Sequence, residues 1–461
     1  MASPISGGLH PERPPAFPGP RNIVDVKSSS LGPRFPRLSN ISGTSSDELL
    51  KPPPTAAPPA TKPPLSSLLS SYDFETVASR TLAPKTWAFY ASAATDQLTR
   101  DANRASFDRI WWRPRVLRNV SRVSTGARML GRDVSVPLFV SPAAMARLVH
   151  PDGERALAAA CASRGVGQCI STNASYPLPE ILDACGGSAT KAPPHPVFFQ
   201  LYVSRDRAAT ASLVRSLPRP AIAALFLTVD APVPGKREAD ERVAAPDDLA
   251  APMSGARATN DAKGGGLGRV MGAYIDASLT WDDVAWLRSL RPDLPIVLKG
   301  IQGAADAMRA VEAGVQGIVV SNHGGRSLDT SPPAVLVLLE LQRCCPWVFE
   351  RLEVYVDGGV RRGTDVVKCL CLGATAVGMG RHFLYALNYG REGVEKLVDI
   401  MKDEIEVSMA NLGVKHLDEL HPGLVNTLDV DHLVPTTMDH PYAKWSPRSR
   451  LVKDAASKAK L

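Results

Sequence analysis

The sequence predicts an α/β protein: a (β/α)8 TIM barrel of about 300 residues behind a proline-rich arm. Three observations predict it. Eight short, β-rich apolar runs recur, most of them separated by Ala-rich stretches of helical character. The runs are continuous rather than alternating, as in a parallel sheet buried on both faces. Seven of the eight close on a polar residue, and in such a barrel the strand C-termini share one rim. A doubly wound open sheet is the competing arrangement of the same elements.

Taken in order, residues 1–67 form the arm. Fifteen of the 40 prolines fall in residues 1–64, in runs such as Pro52-Pro53-Pro54 and Pro63-Pro64. A Pro- and Ser-rich segment this poor in apolar residues does not bury enough surface to offset its ordering entropy, so disorder is expected. Glu12, Asp25, Asp47 and Glu48 argue against a mitochondrial transit peptide. Residues 72–110 have helical spacing and end on the aromatic run Ile110-Trp111-Trp112. The strands follow at Val136–Ser141, Gly167–Ser171, Val197–Tyr202, Ala224–Thr228, Ile296–Lys299, Gly317–Ser321, Val354–Asp357 and Ala376–Gly378. The barrel domain is assigned to residues 68–425 and a basic tail to residues 426–461.

Composition excludes several classes. Hydrophobic content of 44% and charged content of 21% are those of a globular protein, and no apolar run approaches a membrane span. The net charge of +7 resides in the ends: residues 1–70 carry +3 and residues 444–461 carry +5, leaving the middle near −1. That distribution argues against a nucleic-acid groove on the folded body. Cys161, Cys169, Cys185, Cys344, Cys345, Cys369 and Cys371 show no paired C-x-x-C spacing, so reduced core thiols are expected and no metal site.

The chemistry concentrates in loops after strands. In Ser321-Asn322-His323-Gly324-Gly325-Arg326 the histidine falls at the barrel mouth, where an imidazole moves protons near neutral pH. Arg326 offers a planar fork for a carboxylate. Asp357-Gly358-Gly359-Val360-Arg361 and Gly378-Met379-Gly380-Arg381 follow the last two strands, where barrels bind phosphate through backbone N–H groups. Lys299 ends an apolar run, and position alone leaves it three roles: Schiff base, phosphate ligand, or counter-charge to a reduced cofactor. Asp230, two residues past Thr228, is placed to orient a histidine or to cap a turn.

With Tyr90-Ala91-Ser92, Phe198-Phe199-Gln200-Leu201-Tyr202 and Leu227-Thr228-Val229-Asp230-Ala231-Pro232 added, the ordered set resembles the FMN-dependent L-2-hydroxy acid oxidases and dehydrogenases, such as glycolate oxidase, lactate oxidase and the flavin domain of flavocytochrome b2. The resemblance runs from about Leu68 to about Leu420. It implies FMN at the barrel mouth, with its ring against Pro142, Ala143, Ala144, Ser171, Gln200, Thr228 and Lys299 and with Ser321 nearby. It further implies Asp357 on the ribityl chain, the phosphate at Gly359, Arg361, Gly380 and Arg381, and Gly358 and Val360 among the cofactor contacts. The substrate carboxylate is expected at Arg326, Arg237 and Tyr202. His323 is the expected proton acceptor, from the α-carbon or the hydroxyl, with Asp230 behind it; Lys299 favours the anionic reduced flavin.

The chain also departs from that family. Phe89 stands where relatives carry a tyrosine that touches the carboxylate, so weaker or altered substrate preference is expected; a degenerate barrel that binds flavin without turnover is the alternative it leaves open. Ala143 replaces a Thr, Ser327 a Gln, and His382 a Pro. Residues 239–275 are expected to form the loop over the site. The C-terminal Ala459-Lys460-Leu461 is similar to a peroxisomal signal. Residues 1–67 are too short and proline-rich for a haem module, which favours oxygen as electron acceptor over quinones or other carriers. The resemblance also implies a homo-oligomer.

Overall fold

The computed structural model describes residues 61–246 and 249–437. Eight parallel strands close into a barrel: β1 (Leu138–Val140), β2 (Gly167–Ser171), β3 (Val197–Leu201), β4 (Ala224–Thr228), β5 (Ile296–Ile301), β6 (Gly317–Val320), β7 (Glu353–Asp357) and β8 (Ala376–Met379). Each strand pairs with its sequence neighbour and β8 pairs with β1, which decides for the barrel over the open sheet. β1 is shorter than Val136–Ser141 because Pro137 has no N–H for the ladder, and the Leu138 N–H folds back onto the Val136 carbonyl at 2.7 Å. β5 continues past Lys299 through a bulge to Ile301.

One residue per strand fills the barrel floor: Phe139, Cys169, Phe198, Phe226, Val297, Val319, Tyr355 and Ala376 form a buried cluster of their own with a few neighbours. Phe198 and Phe226 stack at 4.7 Å between centroids. Because residues i and i+2 of a strand share a face, the next inward layer is Ser141, Ser171, Gln200, Thr228, Lys299, Ser321, Asp357 and Gly378. The inward face therefore changes from an apolar plug to a polar cup within two residues.

Three helices precede the barrel and contribute to the wall of its mouth: α1 (Ser71–Thr81), α2 (Pro84–Ala91) and α3 (Leu98–Asp108). A capping box between Ser70 and Asp73 starts α1, and Pro84 starts α2. Trp111–Trp112 pairs antiparallel with Val425–Asn426. Within the expected 239–275 loop the chain forms two short helices, α4 (Glu238–Glu241) and α5 (Leu267–Met271). Of the arm, Pro63 accepts a hydrogen bond from Tyr389 at 2.8 Å; residues 1–60 and 438–461 lie outside the described residues. No described helix is long and apolar enough to cross a membrane.

Candidate active site

The polar cup opens into a cavity of about 340 Å³. Phe89, Pro142, Ala143, Ala144, Ser171, Gln200, Tyr202, Thr228, Arg237, Lys299, His323, Arg326, Asp357, Gly358, Gly359, Val360, Arg361, Gly380 and Arg381 all line it. Asp230 and Ser321 stand just behind that wall. The sequence also left residues out. Asn173, two positions past Ser171, was accessible to the same i+2 argument; Glu75, Asn103 and Arg104, from helices ahead of the barrel, carried no such signal.

His323 sits in left-handed backbone (φ 58°), followed by Gly324 and Gly325 at 64° and 74°. A left-handed non-glycine residue costs about 1–3 kcal/mol and persists only where neighbours fix it. Here the Asn322 side chain accepts from the Gly325 N–H, and Asn322 and Asn103 exchange amide hydrogen bonds at 2.8 and 2.9 Å. The turn delivers His323 Nδ1 to within 2.9 Å of Asp230 Oδ1 and its Nε2 to within 3.3 Å of the Tyr202 hydroxyl. Burial pushes the Asp230 carboxyl up, but the charges of His323 and Lys299 outweigh it and its pKa falls below the ordinary value. An ionised carboxylate only accepts, so Nδ1 carries the hydrogen and Nε2 is the nitrogen that faces the cavity. Gly300 (φ 113°) makes room for this arrangement: a Cβ there would lie 2.5 Å from Asp230 Cβ.

Lys299 is buried, 2.9 Å from Ser321 Oγ and 3.3 Å from Asp357 Oδ2. Asp357 also accepts from Ser141 at 3.0 Å and from Ser321 at 2.5 Å. Burial pushes the lysine down; the nearby charges of Asp357 and Asp230 more than offset it and its pKa ends above the usual value. It is a fixed cation at the cup's centre.

Arg237, Arg326 and Arg381 are packed together around Phe89 and Tyr90. The Phe89 ring lies 5.3 Å from the Arg326 guanidinium and 5.9 Å from that of Arg237. Arg326 Nη1 donates to the carbonyls of Phe89, Tyr90 and Ser92 at 2.9–3.0 Å. Arg381 donates to those of Tyr90, Ser92 and Gly324, so its nitrogens serve the main chain while its charge remains at the wall. Burial pulls all three guanidinium pKa values down. Among the described residues none of the three has a carboxylate within ion-pair distance, and Arg237 Nε has no hydrogen-bond partner. Buried cations so arranged are built to receive an anion. Tyr90 does not take the place of a tyrosine at 89: its hydroxyl donates to the Ala144 and Met145 carbonyls, both at 2.8 Å.

A family model described as FMN-dependent dehydrogenase matches residues 78–427. The chain is 43% identical over 385 residues to an L-lactate dehydrogenase (cytochrome) of Saccharomyces cerevisiae, covering 82% of this chain and 64% of that protein. A peroxisomal (S)-2-hydroxyacid oxidase of Arabidopsis thaliana is 39% identical, covering 77% of this chain and 95% of the oxidase. Among solved structures, the flavin-binding domain of baker's yeast flavocytochrome b2 matches with a TM-score of 0.71 at 39% identity, over 85% of this chain and 96% of that one. A mandelate oxidase with (S)-4-hydroxymandelic acid matches with a TM-score of 0.71 at 35% identity, over 78% of this chain and 98% of that one. Fold and site together define a flavin-type (β/α)8 barrel. The chain belongs to the FMN-dependent dehydrogenase family, and FMN is its cofactor.

The cavity fits that cofactor. Gly358 and Gly359 adopt φ of 113° and 81°, and a Cβ on Gly359 would lie 2.6 Å from the Asn103 main chain. The glycines thus let this loop pack directly on α3 while it lines the cavity, and Arg361 and Arg381 add positive charge to the same wall, a lining that suits a phosphate.

Proposed function

We propose that this chain oxidises a small (S)-2-hydroxy acid to the 2-oxo acid. The observation that carries the proposal is the imidazole of His323, backed by Asp230, facing a cavity where the buried Arg237, Arg326 and Arg381 have no carboxylate within ion-pair distance among the described residues. FMN, when bound, accepts the two electrons. Arg326 and Arg237, with the Tyr202 hydroxyl, hold the substrate carboxylate and so orient the carbinol carbon toward His323. His323 Nε2 takes the proton, and Asp230 stabilises the imidazolium that results. Lys299 supplies positive charge where negative charge develops.

Residues 68–425 are proposed as the catalytic unit, working as a homo-oligomer with no nucleic-acid partner. Oxygen, reduced to hydrogen peroxide, is the proposed electron acceptor, with peroxisomal targeting through Ala459-Lys460-Leu461. The 43% identity to a cytochrome-linked lactate dehydrogenase favours a second reading, a dehydrogenase passing electrons to another carrier. Anaerobic addition of L-lactate, glycolate and longer hydroxy acids to the yellow protein tests the reaction. Bleaching of the flavin band with formation of the matching 2-oxo acid is expected; a band that persists with every member of the panel contradicts it. Readmitting air then separates the acceptors, since an oxidase releases one peroxide per turnover.

A further inference from the structure

The glycine-loop end of the cavity holds a side chain with no task in the reaction above. His382, next to Arg381, is 7% exposed and lines the cavity beside Gly359, Arg361 and Gly380. Its Nε2 is buried and has no hydrogen-bond partner among the described residues. A polar atom enclosed in that way is retained where something entering the cavity satisfies it. The nearest carboxylate is Glu75 of α1, whose Oε2 lies 3.8 Å from His382 Nε2, beyond hydrogen-bond distance, and 3.2 Å from Arg361 Nη2. The other ionisable groups facing this pair are Arg104 of α3, Arg381, and the Tyr385 phenol. Three guanidiniums against one carboxylate leave two positive charges, the complement of a phosphate monoester dianion.

We infer that His382 is a ligand of the cofactor phosphate that takes up a proton as the phosphate enters, and that Glu75 holds Arg361 until it does. The inference rests on the FMN reading of this cavity. Without the phosphate, burial and the flanking arginines disfavour imidazolium; Glu75 offsets this only in part, and the pKa lies below the ordinary histidine value. A dianion at the same wall reverses the local field and favours imidazolium. The pKa is then higher in the complex than in the free protein. Protons are therefore taken up on binding at any pH between the two values, and FMN affinity rises as pH falls through that window. The proline expected here from the resemblance has no side-chain donor, so the effect belongs to this chain.

The test uses the full chain freed of flavin and titrated with FMN, read by quenching of flavin fluorescence from pH 5 to 8.5. Calorimetry in two buffers of different ionisation enthalpy counts the protons. The phosphate's own titration contributes to every variant alike, so the difference between proteins isolates His382. The His382→Gln protein is expected to take up fewer protons per FMN than wild type, with affinity roughly tenfold weaker at pH 6 and within about twofold at pH 8.5. Riboflavin, which lacks the phosphate, is expected to show no such difference between the two proteins. Glu75→Gln, which releases Arg361, is expected to bind FMN several-fold tighter at pH 7.5. Parallel pH profiles and equal proton uptake in wild type and His382→Gln overturn the role of His382, as does the same difference with riboflavin. Unchanged or weaker binding by Glu75→Gln overturns the role of Glu75. Failure of the wild-type chain to bind FMN at any pH overturns the cofactor reading itself, and the two failures are thereby told apart.

Discussion

At the scale of single residues, the hydrogen bond between His323 Nδ1 and Asp230 Oδ1 fixes which nitrogen faces the cavity. Asp230→Asn keeps the shape of that contact and removes its charge, so the imidazolium loses its stabilising partner. The expected outcome is a kcat/KM lower by roughly 10²-fold with FMN still bound; a change under threefold argues that Asp230 is only a turn cap. Phe89 tests the substrate side. Its ring faces both Arg326 and Arg237, so a hydroxyl added there is directed at the carboxylate position. Phe89→Tyr is expected to lower KM for short hydroxy acids by up to roughly tenfold, the effect of one added hydrogen bond. An unchanged or raised KM counts against that placement. The positions of His323 and Asp230 were legible before the fold was known because each follows a strand end at a short offset, whereas Phe89, on α2, was visible only through the family resemblance. His382 was visible as a departure, but its isolation beside Glu75 arises only once α1 meets the loop after β8.

At the scale of elements, the segment between β4 and β5 is held over the site by a buried ion pair. Lys85 of α2 lies 2.7 Å from Asp240 Oδ1 of α4 and donates to the Gly265 carbonyl at 2.7 Å; Asp240 Oδ2 accepts from the Gly268 N–H of α5 at 2.8 Å. The three helices are thereby tied around Arg237, which immediately precedes α4. Lys85→Met leaves the Asp240 charge buried without its cation and is expected to cost about 3–5 kcal/mol, measured as a fall in the midpoint of denaturant unfolding. Stability within 1 kcal/mol of wild type (about the effect of an exposed pair) contradicts this. Gly268 is the second constraint: a Cβ there would lie 1.8 Å from Arg237 Nη2, and the flexible guanidinium is the part that yields. Gly268→Ala is expected to raise KM about tenfold or more, as one carboxylate contact is displaced, with kcat and melting temperature changed far less. Little of this was readable in residues 239–275, because a Gly-, Ala- and Asp-rich stretch has neither helical nor strand period. Of its two short helices, α4 rests on α2 through Lys85 and α5 on α4 through the Gly268 N–H.

At the scale of the whole molecule, the barrel is two stacked inward layers, an aromatic floor and a polar cup, offset by two residues on each of eight strands. That offset explains why so much of the site was legible: an apolar run that ends on Ser, Thr, Lys or Asp reports both a buried strand and its contribution to the cup. It also explains what was not legible. α1 and α3 complete the wall from far off in sequence, 290 residues where Ser71 Oγ bonds the Arg361 carbonyl and 219 where Asn103 bonds Asn322, and no local pattern announces such contacts. We propose that an imidazole poised over the cup begins the reaction. The direct test is the rate of anaerobic flavin reduction by L-lactate or glycolate in wild type and in a His323→Gln protein shown to be folded and to hold FMN. Rapid bleaching is expected in wild type, with a rate lower by roughly 10²–10⁴-fold in the variant, the range for a positioned base. Bleaching of the variant at near the wild-type rate contradicts it.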